Sequence, residues 1–150
     1  MKSVGEIMAI GRTFKEALNK AIRSLEINVS GLRKNLKNLS NHSTSNPKTI
    51  RSELKNILKK PLWDRLWYVA EAMRNGFSIE EIYKITFIDP WFLQNIQDLL
   101  NIERELILVG NLRELSDDLL KKSKEYGYSN IFIANILNCS SKDVNSKCKS

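Results

Sequence analysis

From Thr13 onward the apolar positions recur with a helical period. Phe14, Ala17, Leu18, Ala21, Ile22 and Leu25 fall at i, i+3, i+4, i+7, i+8 and i+11, one stripe along a helix of about three turns. Thr13 and Glu16 before it have the spacing of a capping box, in which a hydroxyl and a carboxylate satisfy orphan N–H groups. Asn46-Pro47 pairs a cap with a first-turn proline and opens a helix that buries Ile50, Leu54, Ile57 and Leu58. In "PLWDRLWYVAEAMRNG", Trp63, Leu66, Trp67, Ala70 and Met73 gather on one side, and Gly76 closes the helix. Ser78 to Glu81 forms a second capping box for a short helix through Thr86. Asp89-Pro90 then starts a long helix that Gly110 stops. Ser116 caps a helix that ends at Gly127, and Ser129 starts the next.

One stretch breaks the pattern. "SVGEIMAIG", Ser3 to Gly11, reads as a strand, yet no second strand-like run follows to pair with it. Even an isolated hairpin is marginal in water, so either the stretch is not a strand or its sheet lies in protein outside these residues. The expected fold class is all-α: about seven helices in two small helical subdomains, preceded by a short strand-like N-terminal arm.

The chain also echoes itself at an offset of 51, with Gly76/Gly127, Phe77/Tyr128, Ser78/Ser129, Ile82/Ile133 and Ile85/Ile136 in register. Each copy reads as a short helix, a tight break and a second capped helix. Two copies make two small units, since a solenoid needs at least three.

Charge raises a nucleic-acid reading. The net charge is +7, and residues 1–60 carry 13 Lys/Arg against 4 Asp/Glu while residues 61–150 carry 11 against 13. The basic part therefore reads as a solvated linker and helix face. A helix-break-helix unit could still bind DNA if its second helix offered Arg, Lys, Asn or Gln to base edges. In the first copy that helix is "PWFLQNIQDLL", with one acid and no base. The second copy sets Lys142 and Lys147 beside Asp143. A stand-alone helix-turn-helix-like nucleic-acid-binding protein stays as the alternative, with no nucleic acid expected.

Catalytic chemistry finds no constellation. His42 sits in the polar loop Asn38–Asn46, Cys139 follows Leu137 on an apolar helix face, and Cys148 is two positions from Ser150. Glu80-Glu81 and Asp117-Asp118 occupy first helical turns, where the helix dipole favours acids. There is no Gly-rich phosphate loop, and two cysteines make neither a disulfide framework nor a zinc spacing. No catalytic, cofactor-binding or metal-ligating residue is expected. No apolar run reaches the roughly 18 residues a membrane span needs, and the expected compartment is a reducing cytoplasm.

The densest feature is aromatic: Trp63, Trp67, Tyr68, Phe87, Trp91 and Phe92. Three tryptophans among 29 residues exceed what so small a helical unit needs for a core. Trp63, Trp67, Trp91 and Phe92 are therefore the candidate interface, which leaves open which of them are core.

"MKSVGEIMAIGRTFKEALNKAIRSLE" and "DRLWYVAEAMRNGFSIEEIYKITFIDPWFLQNIQDLLNIE" together resemble the middle of the carbamoyl phosphate synthase large chain, with the weakest likeness from Asn28 to Lys48. The resemblance implies that residues 1–26 end the first ATP-grasp (carboxyphosphate) half. It makes residues 27–150 the helical oligomerisation, or connection, domain, in subdomains of about 27–110 and 111–150. The parent would be a glutamine-dependent ligase making carbamoyl phosphate from bicarbonate, ammonia and ATP, with Mg (or Mn), for arginine or pyrimidine synthesis. This segment would itself bind no cofactor. Its implied partners are the flanking ATP-grasp halves, a glutaminase small chain and further copies of itself.

Overall fold

The structure, a computed structural model, describes residues 7–25, 31–33 and 46–149. Among these residues there are eight helices and no strand: α1 (Phe14–Ser24), α2 (Pro47–Leu58), α3 (Arg65–Arg74), α4 (Ile79–Thr86), α5 (Pro90–Val109), α6 (Asp117–Glu125), α7 (Asn130–Leu137) and α8 (Ser141–Lys147). The fold is all-α, as the pattern predicts. Of the strand-like arm, Ile7–Ile10 has no regular structure and exposes Met8 and Ile10; Ser3–Glu6 lies outside the described residues. The loop expected around His42 lies outside them too.

The predicted caps are in place. Asn46 accepts from the Lys48 N–H, and the Ser78/Glu81 capping box closes in both directions. Asp89 Oδ1 accepts from the Trp91 N–H at 2.8 Å and starts α5. At α1 only half of the box forms. Thr13 Oγ1 accepts from the Glu16 N–H, but Glu16 Oε2 takes the N–H of Arg12, one residue before the cap.

The chain forms two compact units. One is Met1–Gly31 with Asp98–Ser150, and the other is Leu32–Gln97. These differ from the segments 27–110 and 111–150: α1 meets Asp98 and the Tyr126–Gly127 turn, and the break falls inside α5. In the first unit Lys15 pairs with Asp98 at 2.8 Å, and Asn19 Nδ2 donates to the Tyr126 carbonyl at 2.8 Å. Gly127 makes this approach possible: a Cβ there would stand 3.0 Å from Glu16 Cα and 3.2 Å from Asn19 Cβ. Tyr128 donates to the Leu99 carbonyl and stacks on Phe132 at 4.6 Å.

In the second unit α2, α3 and α4 pack on one another. Ile50, Leu54, Leu58, Trp67, Tyr68, Val69, Ala70 and Ile82 are buried there. Arg51 joins α2 to the start of α4: its guanidinium bonds Glu81 and lies 4.0 Å over the Phe77 ring.

The echo at offset 51 is structural. Gly76 and Gly127 have φ of +78° and +86°, and Phe77 and Tyr128 donate to Ala72 and Ser123 in matching turns. Helices α4 and α7 are each eight residues long. Both end on a left-handed residue, Phe87 at φ 56° and Asn138 at φ 50°, before α5 and α8 begin.

Candidate functional site

The aromatic residues divide by where each sits relative to its helix. Trp67 lies inside α3 and is 3% exposed, so it belongs to the core. Trp63 precedes the first residue of that helix and is 64% exposed, its ring meeting Trp67 edge-on at 6.3 Å. Trp91 and Phe92 occupy the first turn of α5, are 56% and 43% exposed, and stand 5.0 Å apart in a T-shaped pair. The candidate interface therefore loses Trp67. The helical spacing 63/67 suggested a shared face, but the helix starts only at Arg65.

Two exposed aromatics join the group that sequence reasoning did not place at an interface. Phe87 is 79% exposed and Tyr83 40%, with their rings 6.2 Å apart. Phe87 was visible as an aromatic. Its left-handed φ was signalled only by its counterpart Asn138, a residue type that favours that conformation. Arg65 lies two residues after Trp63. Its Nη2 donates to the Thr86 carbonyl at 2.8 Å and ties the start of α3 to the end of α4. Pro90 begins α5 only a few residues later.

The titratable groups serve structure. Glu81 is held below the usual carboxylate range by the Ser78 N–H and Arg51, and Glu80 is lowered by Lys84 at 2.6 Å. Both are surface capping and pairing groups. Asp117 lies 4.0 Å from Lys147. Burial and nearby Asp143 push the Cys139 thiol up, away from the reactive thiolate. The depression bounded by Asn19, Arg23, Gly127, Tyr128 and Phe132 has room for about one water molecule. Among the described residues no three His, Cys, Asp or Glu side chains cluster to hold a metal ion, and no helix is long and apolar enough to cross a membrane. The first turn of α5, which would have to enter a DNA groove, presents Trp91 and Phe92 and no base.

A family model described as the carbamoyl-phosphate synthetase large chain, oligomerisation domain, matches residues 6–150. The match includes α1, which the resemblance had placed in the ATP-grasp half. The N-terminal section of the carbamoyl phosphate synthase large chain of Aquifex aeolicus is 45% identical over 144 residues, 96% of this chain and 24% of the relative. The large chains of Pseudomonas syringae pv. tomato and Archaeoglobus fulgidus are 42% and 41% identical over 96% of this chain and 13% of each relative. The chain thus spans about a quarter or less of the relatives it matches, and nothing in these comparisons supports the nucleic-acid alternative. Their agreement over nearly every described residue places the chain in the oligomerisation-domain family of the carbamoyl phosphate synthase large chain.

Proposed function

We propose that this chain is the helical connection of a carbamoyl phosphate synthase large chain, a non-catalytic piece that joins two ATP-grasp halves and mediates association. The parent enzyme would make carbamoyl phosphate from bicarbonate, ATP and ammonia released by a glutaminase small chain, with Mg or Mn in the ATP sites of the halves. It would work in the cytoplasm and feed arginine or pyrimidine synthesis.

The observation that carries this reading is an all-helical fold whose largest chemical feature is exposed aromatic surface, in a chain that matches the oligomerisation-domain model over residues 6–150. Residues 6–150 grafted in place of the matching segment of the Aquifex aeolicus N-terminal section should yield a soluble product that keeps ATP turnover. The chain alone should give no calorimetric signal with ATP. Micromolar ATP binding by the chain, or a folded graft without turnover, overturns the reading.

A further inference from the structure

Asn75-Gly76 is the only Asn-Gly pair in the chain. Such a pair carries its own reaction, because glycine has no side chain to obstruct attack on its neighbour. The Gly76 backbone nitrogen adds to Cγ of Asn75 and a C–N bond closes a succinimide ring. The side-chain amide leaves as ammonia, taking the proton that the backbone nitrogen gives up. Water then opens either ring carbonyl and leaves aspartate or isoaspartate at position 75. Both residues are exposed, and a Cβ on Gly76 would meet nothing within 4 Å, so water reaches the corner. The fold does not require the asparagine. In the second copy of the offset-51 unit the same corner is Tyr126-Gly127. There the Tyr126 N–H donates to the Lys122 carbonyl at 3.0 Å, as the Asn75 N–H does to the Glu71 carbonyl at 3.0 Å.

Ring closure needs Cγ of Asn75 against the Gly76 nitrogen, with the proton of that nitrogen free to leave. The folded corner withholds both. The Asn75 side chain is drawn back one helical turn, where Nδ2 donates to the Glu71 carbonyl at 2.8 Å and to Glu71 Oε1 at 2.9 Å. The Gly76 N–H donates to the Met73 carbonyl at 3.1 Å. Glu71 is itself held by Arg74, whose Nη1 lies 3.3 Å from Oε2 and whose Nη2 donates to the Leu32 carbonyl at 3.1 Å. We propose that Asn75 is a latent deamidation site, latched by Glu71 and released when the last turn of α3 opens. Helix ends open locally at a free energy below that of global unfolding. Conversion then keeps the latch from closing again. A carboxylate at position 75 has no donor for either Glu71 oxygen, and it stands four residues from a like charge. Isoaspartate also adds a methylene to the backbone inside the turn that the Phe77 N–H closes onto the Ala72 carbonyl at 3.0 Å. Opening of this corner is thereby recorded in the covalent structure.

Mass-spectrometric peptide mapping of the full chain, incubated at neutral pH, reads conversion at each asparagine, and labelling by an isoaspartyl methyltransferase reads the isoaspartate product. In urea that unfolds the chain, position 75 should convert faster than any other asparagine. In the folded chain it should convert about tenfold or more slowly than in urea, because only the open fraction reacts. Glu71→Ala removes the Oε1 acceptor and should speed conversion of the folded chain several-fold, with circular dichroism showing that the variant is folded during incubation. If that variant unfolds, Glu71→Gln takes its place, keeping the shape and weakening the acceptor, with a smaller increase expected. Faster conversion of another asparagine in urea overturns the site. Equal rates for the wild-type chain folded and in urea overturn the protection. A folded Glu71 variant that converts at the wild-type rate overturns Glu71 as the latch.

Discussion

Gly127 and Gly76 occupy equivalent corners, so replacing each by alanine separates backbone strain from packing. Both have positive φ, +86° and +78°. A Cβ costs about 1–2 kcal/mol in that region whatever surrounds it. At Gly76 nothing stands within 4 Å of the new atom, so Gly76→Ala should cost only that amount. At Gly127 the Cβ meets Glu16 Cα and the Glu16 carbonyl oxygen, both at 3.0 Å, which are backbone atoms of α1 and cannot rotate away. Forced separation of packed elements adds about 1–3 kcal/mol, for a total of roughly 2–5 kcal/mol. Urea denaturation separates the two sites, because Trp63, Trp67 and Trp91 all lie in the unit Leu32–Gln97. Gly127→Ala should shift the circular dichroism transition by about 1 M or more, at ordinary m-values, with less effect on tryptophan fluorescence. Gly76→Ala should move the fluorescence transition, and by less. Equal destabilisation by the two variants would refute the claim that Gly127 is where α1 is seated.

Other expectations use the same chain. Asn19→Ala removes the donor to the Tyr126 carbonyl in a buried setting and should cost about 1–3 kcal/mol in urea titrations followed by circular dichroism. Ser78→Ala opens a complete capping box and should cost roughly 1 kcal/mol, read by tryptophan fluorescence. The Lys20 ammonium and the Arg12 N–H hold the Glu16 carboxyl down, from 4.5 to about 2. Because the folded value lies below the unfolded one, its stabilising contribution is fully present above about pH 4.5 and is lost as pH falls towards 2. Glu16→Gln should flatten the melting temperature against pH across that window, and an unaltered acid limb would contradict the assignment.

What was legible in the sequence is what local chemistry decides. Asn46, Ser78, Ser116 and Ser129 each accept an N–H of their own first turn, and the glycines at 76, 110 and 127 sit at positive φ just past their helices. These choices depend on a few neighbouring residues. The status of the tryptophans does not. Trp63 and Trp67 differ by one helical repeat, yet one is exposed and the other buried, because Lys60, Pro61 and Leu62 delay the helix to Arg65. Phe87 at positive φ runs against its own preference, and only register with Asn138 points to it. The two-unit partition was hidden for a different reason: it depends on which distant residues α1 meets, and periodicity carries no such information.

Helix α1 shows most plainly where patterning misleads. Its apolar stripe predicts burial of Phe14, Ala17, Leu18, Ala21, Ile22 and Leu25, but of these only Ile22 is fully buried, and it shares the closed face with Glu16 and Asn19. The buried polar atoms are tolerable because each is satisfied: Asn19 by Tyr126, Glu16 by Arg12 and Lys20. The missing Cβ at Gly127 lets the backbones come close enough for the short Asn19 side chain to reach across. The closed side of α1 therefore carries a polar seam beside Ile22, while most of its apolar stripe remains partly exposed. A domain that had only to fold alone would gain by burying that stripe, at about 25 cal/mol for each Å² removed from water. Under the proposed function the half-open stripe follows, since a connection between two larger domains needs apolar surface of its own for the neighbours it joins.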